Sequence, residues 1–231
     1  MIVYMDRQIY KNYQFAILGP MNHYFSMMQF DMHVHTTVSS CSRLELSDIL
    51  HNAVQIGLNG VCITDHNTCR AKTELQEGLQ PDGLIVLVGM EYETPEGDFL
   101  LFGSDLEIPP GLDATVLLRR IREKQGVAIA AHPFRANRPV AEHLIRSGRC
   151  SAVESVNGRN LDIENQRVQA WRRKYGIAEV GGSDAHSLAE LGKIRTAFSV
   201  PIHSMEDLVT AVQNGQCLPV LDSAEYAWSM A

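Results

Sequence analysis

The sequence predicts a single-domain α/β barrel built on a parallel sheet. Three observations lead there. Short apolar, strand-like runs alternate with helical patterns along most of the chain, the order of repeated βαβ units. The runs are rich in Val, Ile, Ala and Leu with little polar alternation, as strands covered on both faces are. Five of the nine histidines stand with carboxylates just past these runs, on the rim where barrel enzymes build their sites.

The strand-like runs are Gln29–His33, Gly60–Thr64, Leu84–Met90, Val127–Ala131, Ala152–Asn157, Ala178–Gly182 and Thr196–Val200. Between them, Leu46–Ile56 carries Leu46, Ile49, Leu50, Ala53 and Val54 at helical spacing and stops before Gly57. Thr115–Gln125 places Val116, Leu117, Leu118 and Ile121 on a helix, with Asp113 as an upstream cap and Gly126 closing it. Ile163–Tyr175 and Met205–Asn214 follow the same template, ahead of Gly176 and Gly215. Phe99–Phe102 is expected to pair with the strand before it as a hairpin. Residues 1–27 differ: they are rich in Met, Tyr, Phe, Asn and Gln and lack a period. They read as an N-terminal extension, or as sequence ahead of a start at Met27 or Met28, and the barrel is assigned to 28–231. No internal repeat, linker or low-complexity block divides the rest.

At 231 residues the chain can fill one barrel. Its 45% hydrophobic and 20% charged content is that of a soluble globular protein. The net charge of −7 argues against a broad duplex-DNA surface, but leaves room for a nucleotide or short single strand held by metals and local arginines. Cys41, Cys62, Cys69, Cys150 and Cys217 form no C-x-x-C pair and read as reduced thiols of a cytoplasmic protein. No apolar run approaches the ~20 residues of a membrane span, and no signal-peptide pattern opens the chain.

The clusters carry the chemistry. His33 and His35 alternate along one strand end, so both imidazoles point to one side. Asp65 and His66 follow the second run. Glu91 follows the strongly apolar Leu84–Met90, where a carboxylate needs a partner and a cation is the best one available. His132 sits between Ala131 and Pro133, and Asp184 and His186 repeat the alternating geometry with mixed donors. Alone, each has an ordinary explanation: half-exposed histidines, a strand-ending turn or a satisfied core histidine. Together they describe a multi-metal site of imidazole and carboxylate ligands. His23, His51, His143 and His203 lie outside these clusters and read as surface or packing residues.

The motifs D-M-H-V-H-T, I-T-D-H-N-T, G-M-E, A-H-P-F and G-S-D-A-H, in this order over about residues 29 to 200, resemble those of the PHP (polymerase and histidinol phosphatase) family. The resemblance implies a distorted, TIM-like (β/α)7 barrel holding two to three divalent ions: manganese, zinc or iron. It implies a phosphoesterase acting on a small phosphorylated substrate, a nucleotide such as a 3′,5′-bisphosphate, or a nucleic-acid end in the manner of a 5′–3′ exonuclease. The family's ligands fall on His33, His35, His66, Glu91, His132, Asp184 and His186, with Glu91 bridging two metals and Asp65 beside His66 orienting ligands. Two positions depart from the commonest pattern. Ser40 stands where many members have an Asp, which puts the third metal in doubt, and Cys41 beside it is a soft donor in a hard site. Asp98 stands where many have a histidine, and its oxygen can still ligate. No long insertion separates Asp98 from His132, so a more open pocket is expected than in members that carry one.

On that reading, a water held by two such ions would have its pKa lowered to about 7 and would attack phosphorus as hydroxide. Cations then meet the charge on the phosphoryl oxygens. Arg135 and Arg159 are the expected clamps, with Arg70 and Lys193 weaker candidates, and Asn157 is placed to orient substrate or water. Two other functions fit parts of the pattern. One is a metal-dependent amidohydrolase, which commonly also shows a metal-bridging lysine at a strand end that is not evident here. The other is a non-catalytic PHP-like metal-binding module, which would have lost more ligand positions than Ser40.

Overall fold

The computed structural model describes residues 27–221. The expectation for the extension therefore lies outside the described residues, apart from Met27, which is buried with Ala197 and Val220. Eleven strands follow: β1 (Met28–Val34), β2 (Gly60–Ile63), β3 (Gly78–Leu79), β4 (Ile85–Val88), β5 (Met90–Thr94), β6 (Gly97–Phe102), β7 (Val127–Ala130), β8 (Ala152–Asn157), β9 (Ala178–Gly182), β10 (Ile194–Phe198) and β11 (Cys217–Leu221). The helices are α1 (Leu46–Gln55), α2 (Ala114–Glu123), α3 (Glu142–Arg146), α4 (Asp162–Tyr175) and α5 (Met205–Gln213). Local chemistry sets their ends. Asp113 accepts from Val116 N–H at 2.9 Å to cap α2, and Gly176 closes α4 with φ +61°.

The strands form two sheets, ordered β11-β10-β1-β2-β4-β3 and β5-β6-β7-β8-β9. The expectation of one parallel sheet is corrected here. Leu84–Met90 is two strands, broken at Gly89, where the chain leaves the first sheet and enters the second. The two-residue turn at Pro95 and Glu96 then returns β6 antiparallel to β5, because so short a connection cannot make a parallel crossover. That confirms the Phe99–Phe102 hairpin. β1–β2, β2–β4, β7–β8 and β8–β9 are parallel, while β10 runs antiparallel to both β1 and β11.

The sheets do not share one continuous ladder. They meet at two seams, each marked by an isolated bridge: Val34 with Ala185, and His66 with Glu91. At the first, His35 N–H donates to Ala185 O at 2.9 Å and Ala185 N–H to His33 O at 3.2 Å. At the second, Glu91 N–H reaches the carbonyls of Thr64 and Asp65, both at 3.2 Å. One apolar core lies between the sheets, with Phe30, Met32 and Leu87 from one side and Leu100, Ile129 and Val180 from the other. A second cluster packs α2, α3 and α4 on the outer face of the second sheet, and a third packs α1 on the first.

Two register shifts turn this packing toward function. On β1 the pairing with β2 slips between Asp31 and Val34. Met32 faces the inner core, yet Val34 packs outward with Ile49 of α1, so the intervening irregularity lets His33 and His35 both turn inward. On β8 the shift falls between Glu154 and Val156 and brings both Glu154 and Asn157 to the same centre.

The first seam depends on Gly182. A Cβ there would stand 2.5 Å from His33 Cβ and 2.6 Å from Glu154 Oε1. Gly182→Ala is expected to push β9 off β1 and cost about 1–3 kcal/mol, the scale of overpacking. The denaturant midpoint of unfolding measures this; an unchanged midpoint would show that the seam yields freely.

Candidate metal centre

His33 and His35 end with their Nε2 atoms 3.0 Å apart. Three of the clustered imidazoles are tied back through Nδ1. His33 Nδ1 donates to Glu154 Oε1 at 3.0 Å. His35 Nδ1 lies 3.4 Å from Ser39 Oγ, and since that hydroxyl gives its own proton to Asp65 Oδ1 at 2.6 Å, it serves as the imidazole's acceptor. His186 Nδ1 donates to the Asp184 carbonyl at 2.8 Å. With Nδ1 held in this way, Nε2 is the nitrogen each imidazole would offer to an ion.

Carboxylates close around these nitrogens. Glu91 Oε2 is 3.2 Å from His35 Nε2, 3.4 Å from His33 Nε2 and 3.1 Å from His66 Nδ1. Its Oε1 accepts from His132 Nε2 at 2.8 Å. Asp184 Oδ1 lies 3.4 Å from His35 Nε2 and 3.6 Å from His33 Nε2. His66 Nδ1 is close to Glu91 but not aligned for a hydrogen bond, and it stays buried and unpartnered. Three donor groups result: His33, His35 and Glu91; Glu91, Asp98 and His132; His35, His66 and His186. Within each, the ligand atoms lie within 4.8 Å of one another. Glu91 belongs to two of the groups.

These donors fit divalent ions. Two imidazole lone pairs facing at 3.0 Å repel unless a positive charge lies among them. The electrostatic surroundings say the same. Burial pushes His33 down, yet Asp184, Glu154 and Glu91 outweigh it and hold the imidazole well above its ordinary value, so the site favours positive charge. Burial likewise pushes Glu91 up, but the His33 charge and hydrogen bonds from His132, His33 and His35 hold it well below the usual carboxylate range. Burial lowers His66 and His186. Burial raises Asp98, against the hydrogen bonds of Arg138.

The remaining expected residues surround this centre. Asp65 accepts from Thr36 N–H at 2.8 Å, Thr36 Oγ1 at 2.7 Å and Ser39 Oγ at 2.6 Å, so it fixes the loop that orients His35. Arg135 donates through Nη2 to Asp184 Oδ2 at 2.7 Å and Asn157 Oδ1 at 2.9 Å, and through Nε to Asn160 Oδ1 at 3.0 Å. It therefore braces the Asp184 carboxylate as well as lying near the centre. Asn157 Nδ2 donates to Glu154 Oε2 at 3.0 Å. Arg159 stands at the rim, its Nε 3.9 Å from Glu190 Oε1, and its charge is felt at both Cys41 and His186. Ser40 and Cys41 are both exposed, and Cys41 Sγ lies 3.2 Å from His186 Nε2.

Sequence reasoning missed Glu154, Ser39 and Arg138. Glu154 was visible by the signal that singled out Glu91: a lone carboxylate in an apolar strand. Arg138 forks onto Asp98, donating from Nε to Oδ2 at 2.6 Å, and Ser39 links Asp65 to His35; nothing in their sequence neighbourhood marks either role.

A family model described as PHP-associated matches residues 162–217. The uncharacterized protein MJ0417 of Methanocaldococcus jannaschii is 32% identical over 195 residues, 78% of this chain and 75% of that one. A probable phosphatase of Caldicellulosiruptor saccharolyticus is 26% identical over 199 residues, 72% of this chain and 83% of that one. A solved two-domain protein of Bacteroides vulgatus, described as containing a PHP-like metal-dependent phosphoesterase, has the same fold at a TM-score of 0.67 and 16% identity, over 86% of this chain and 66% of that one. Five ordered motifs whose donors meet at one rim thus coincide with these likenesses, and the chain belongs to the PHP family.

Proposed function

We propose that this chain is a metal-dependent phosphoesterase hydrolysing a small phosphomonoester, a nucleotide or a short nucleic-acid end. The observation that carries the reading is the convergence of tautomer-fixed imidazoles on Glu91 and Asp184. We read the two sheets and their bridged seams as the distorted (β/α)7 barrel of the family. The donor chemistry supports more than one ion. Glu91, Asp98, Glu154 and Asp184 are all buried at the centre, and two guanidiniums, those of Arg135 and Arg138, pair with members of this set. Buried carboxylates thus outnumber the guanidiniums that face them, which favours bound cations. Manganese, zinc and iron all accept these donors. Among the described residues no helix is long and apolar enough to cross a membrane. The five free thiols suit the reducing cytoplasm we assign to the chain.

His33, His35, Glu91, Asp184, Asp98 and His132 would hold two ions, with His66 and His186 beside them. Ions bound there supply Lewis acidity, lowering the pKa of water toward about 7. The chain's own residues supply the rest. Glu91 stays ionised and shares its oxygens between neighbouring donor groups. Glu154, Ser39 and Asp65 hold imidazole orientation, and Arg135 holds Asp184. Arg159 is left to meet a phosphoryl oxygen at the mouth, where its fork can donate two hydrogen bonds.

The decisive experiment is phosphate release from mononucleotides, 3′,5′-bisphosphates, sugar phosphates and short oligonucleotides with manganese, zinc or iron added. Activity on at least one class, lost on chelation and restored by metal, is expected. Purified protein with neither bound metal nor metal-dependent hydrolysis would overturn the reading.

Two substitution tests separate ligands from rim. Glu91→Gln and His35→Ala are each expected to lower turnover by at least about a hundredfold, beyond the loss from an outer hydrogen-bond partner, with circular dichroism unchanged. Turnover near wild type at saturating manganese contradicts the assignment. Arg159→Ala is expected to raise KM about tenfold with a smaller change in kcat, as loss of a charged hydrogen bond to bound phosphate would. An unchanged KM removes Arg159 from the substrate's path.

A further inference from the structure

Glu91 serves two of the donor groups through different oxygens. Oε2 faces His33 and His35, while Oε1 accepts from His132 Nε2 at 2.8 Å. The surroundings of these two groups are not alike. We propose that the two ion sites differ in affinity, that Glu91, Asp98 and His132 form the weaker one, and that Arg138 holds it weak by sharing the Asp98 carboxylate. The proposal rests on the metal-dependent reading above and deepens it.

The two arginines at the centre make the contrast. Arg135 Nη2 donates to Asp184 Oδ2 at 2.7 Å and leaves Oδ1 to the imidazoles, 3.4 Å from His35 Nε2 and 3.6 Å from His33 Nε2. An ion among His33, His35 and Glu91 thus has a second carboxylate oxygen turned toward it. Arg138 instead donates to both oxygens of Asp98, from Nε to Oδ2 at 2.6 Å and from Nη2 to Oδ1. Oδ2 is also the oxygen that faces the centre, 3.9 Å from His132 Nε2. A carboxylate oxygen has two lone pairs, so the fork does not bar an ion. An ion bound there nevertheless shares one negative charge with a guanidinium in direct contact, and the two positive charges repel.

A second feature, independent of Arg138, ranks the sites in the same order. His33, His35 and His186 each set Nδ1 against an oxygen, whereas His132 Nδ1 is buried with no hydrogen-bond partner. The outer partner of a ligand imidazole fixes its ring and raises its basicity, and losing such a partner lowers metal affinity about 10- to 100-fold. His132 is therefore the poorer donor.

Asp98 does not depend on the fork for its place. It is buried in β6, and its carbonyl accepts Ala131 N–H at 2.9 Å. Arg138 reaches it from a part-exposed position, with Nη1 3.4 Å from Glu93 Oε1. Its effect on an ion at this site is therefore mainly that of its charge.

Stepwise manganese titration of the metal-free full chain, read by calorimetry and by the paramagnetic resonance of free manganese, tests the ranking. The wild-type protein is expected to bind one ion at least about tenfold more tightly than the next. Asp98→Asn should abolish the weaker step and keep the tighter one. Arg138→Gln should tighten the weaker step by at least about tenfold. Arg138→Lys keeps both the charge and a partner for Asp98, so it should fold as wild type and leave that step weak. Equal affinities in the wild type, or loss of the tighter step in Asp98→Asn, would overturn the ranking. A weaker step that Arg138→Gln leaves unchanged or loosens, or that Arg138→Lys tightens tenfold, would overturn the role of Arg138. Each of these results leaves the metal centre standing, whereas protein that binds neither manganese nor zinc would overturn both readings.

Discussion

The Glu154 carboxylate has no exposure to solvent and divides its two oxygens among three elements. Oε1 takes the proton of His33 Nδ1 from β1, while Oε2 takes His132 N–H at 2.8 Å beyond β7 and Asn157 Nδ2 from its own strand. Removing a carboxylate from water costs several kcal/mol, and only such a full set of donors offsets it. The same contacts decide which nitrogen of His33 faces the centre and where the backbone carrying His132 sits. Without Glu154, His33 would be free to turn, and with it the pair of Nε2 atoms that defines the cluster.

Strain gathers where this carboxylate and its neighbours act. His132 holds φ +29° and Asp184 φ +55°, both in the region that favours glycine. Such residues cost on the order of 1–3 kcal/mol and persist only where their surroundings over-determine them. His132 is fixed by the Glu154 bond to its N–H. Asp184 lies between Ser183, whose N–H donates to Asp31 Oδ1 at 3.0 Å, and Ala185, which exchanges backbone bonds with His33 and His35. Asp31 receives Gly192 N–H at 2.8 Å as well, so one buried acid ties β1 to the segments on either side of Asp184. The seam between the sheets and the geometry of the side-chain cluster therefore rest on the same set of hydrogen bonds.

Most of the strands, the four long helices and all the cluster histidines were legible because burial and side-chain period leave direct marks. Val127–Ala130 and Ala178–Gly182 are apolar because both faces are covered, and Glu91 is conspicuous because it follows such a run. What was not legible depends on partners distant in sequence. The short β3 exists only because it pairs with β4, and β11 only because β10 offers an edge. The passage of the chain from one sheet to the other falls at Gly89, whose break inside an apolar run has no periodic signature. Arg138 looks like any loop arginine until Asp98, 40 residues away, is placed beside it. The shifts on β1 and β8 are likewise products of pairing, and they decide that His33, His35, Glu154 and Asn157 meet.

The placement of the arginines constrains how an anion could enter. Arg138 is forked onto Asp98, and Arg135 is spent on Asp184, Asn157 and Asn160 through two of its nitrogens. Both therefore offset protein carboxylates, and a phosphate approaching the bare cluster would meet Glu91 and Asp184 in their ionised forms. At the separations here the repulsion between such charges is several kcal/mol even at an effective dielectric of about 20. On the proposed reading, metal ions must reverse that potential before substrate can bind, with Arg159 contributing only from the rim. On that reading these two partly exposed arginines belong to the architecture of the metal centre, and substrate recognition is left to the ions and to the residues around the mouth.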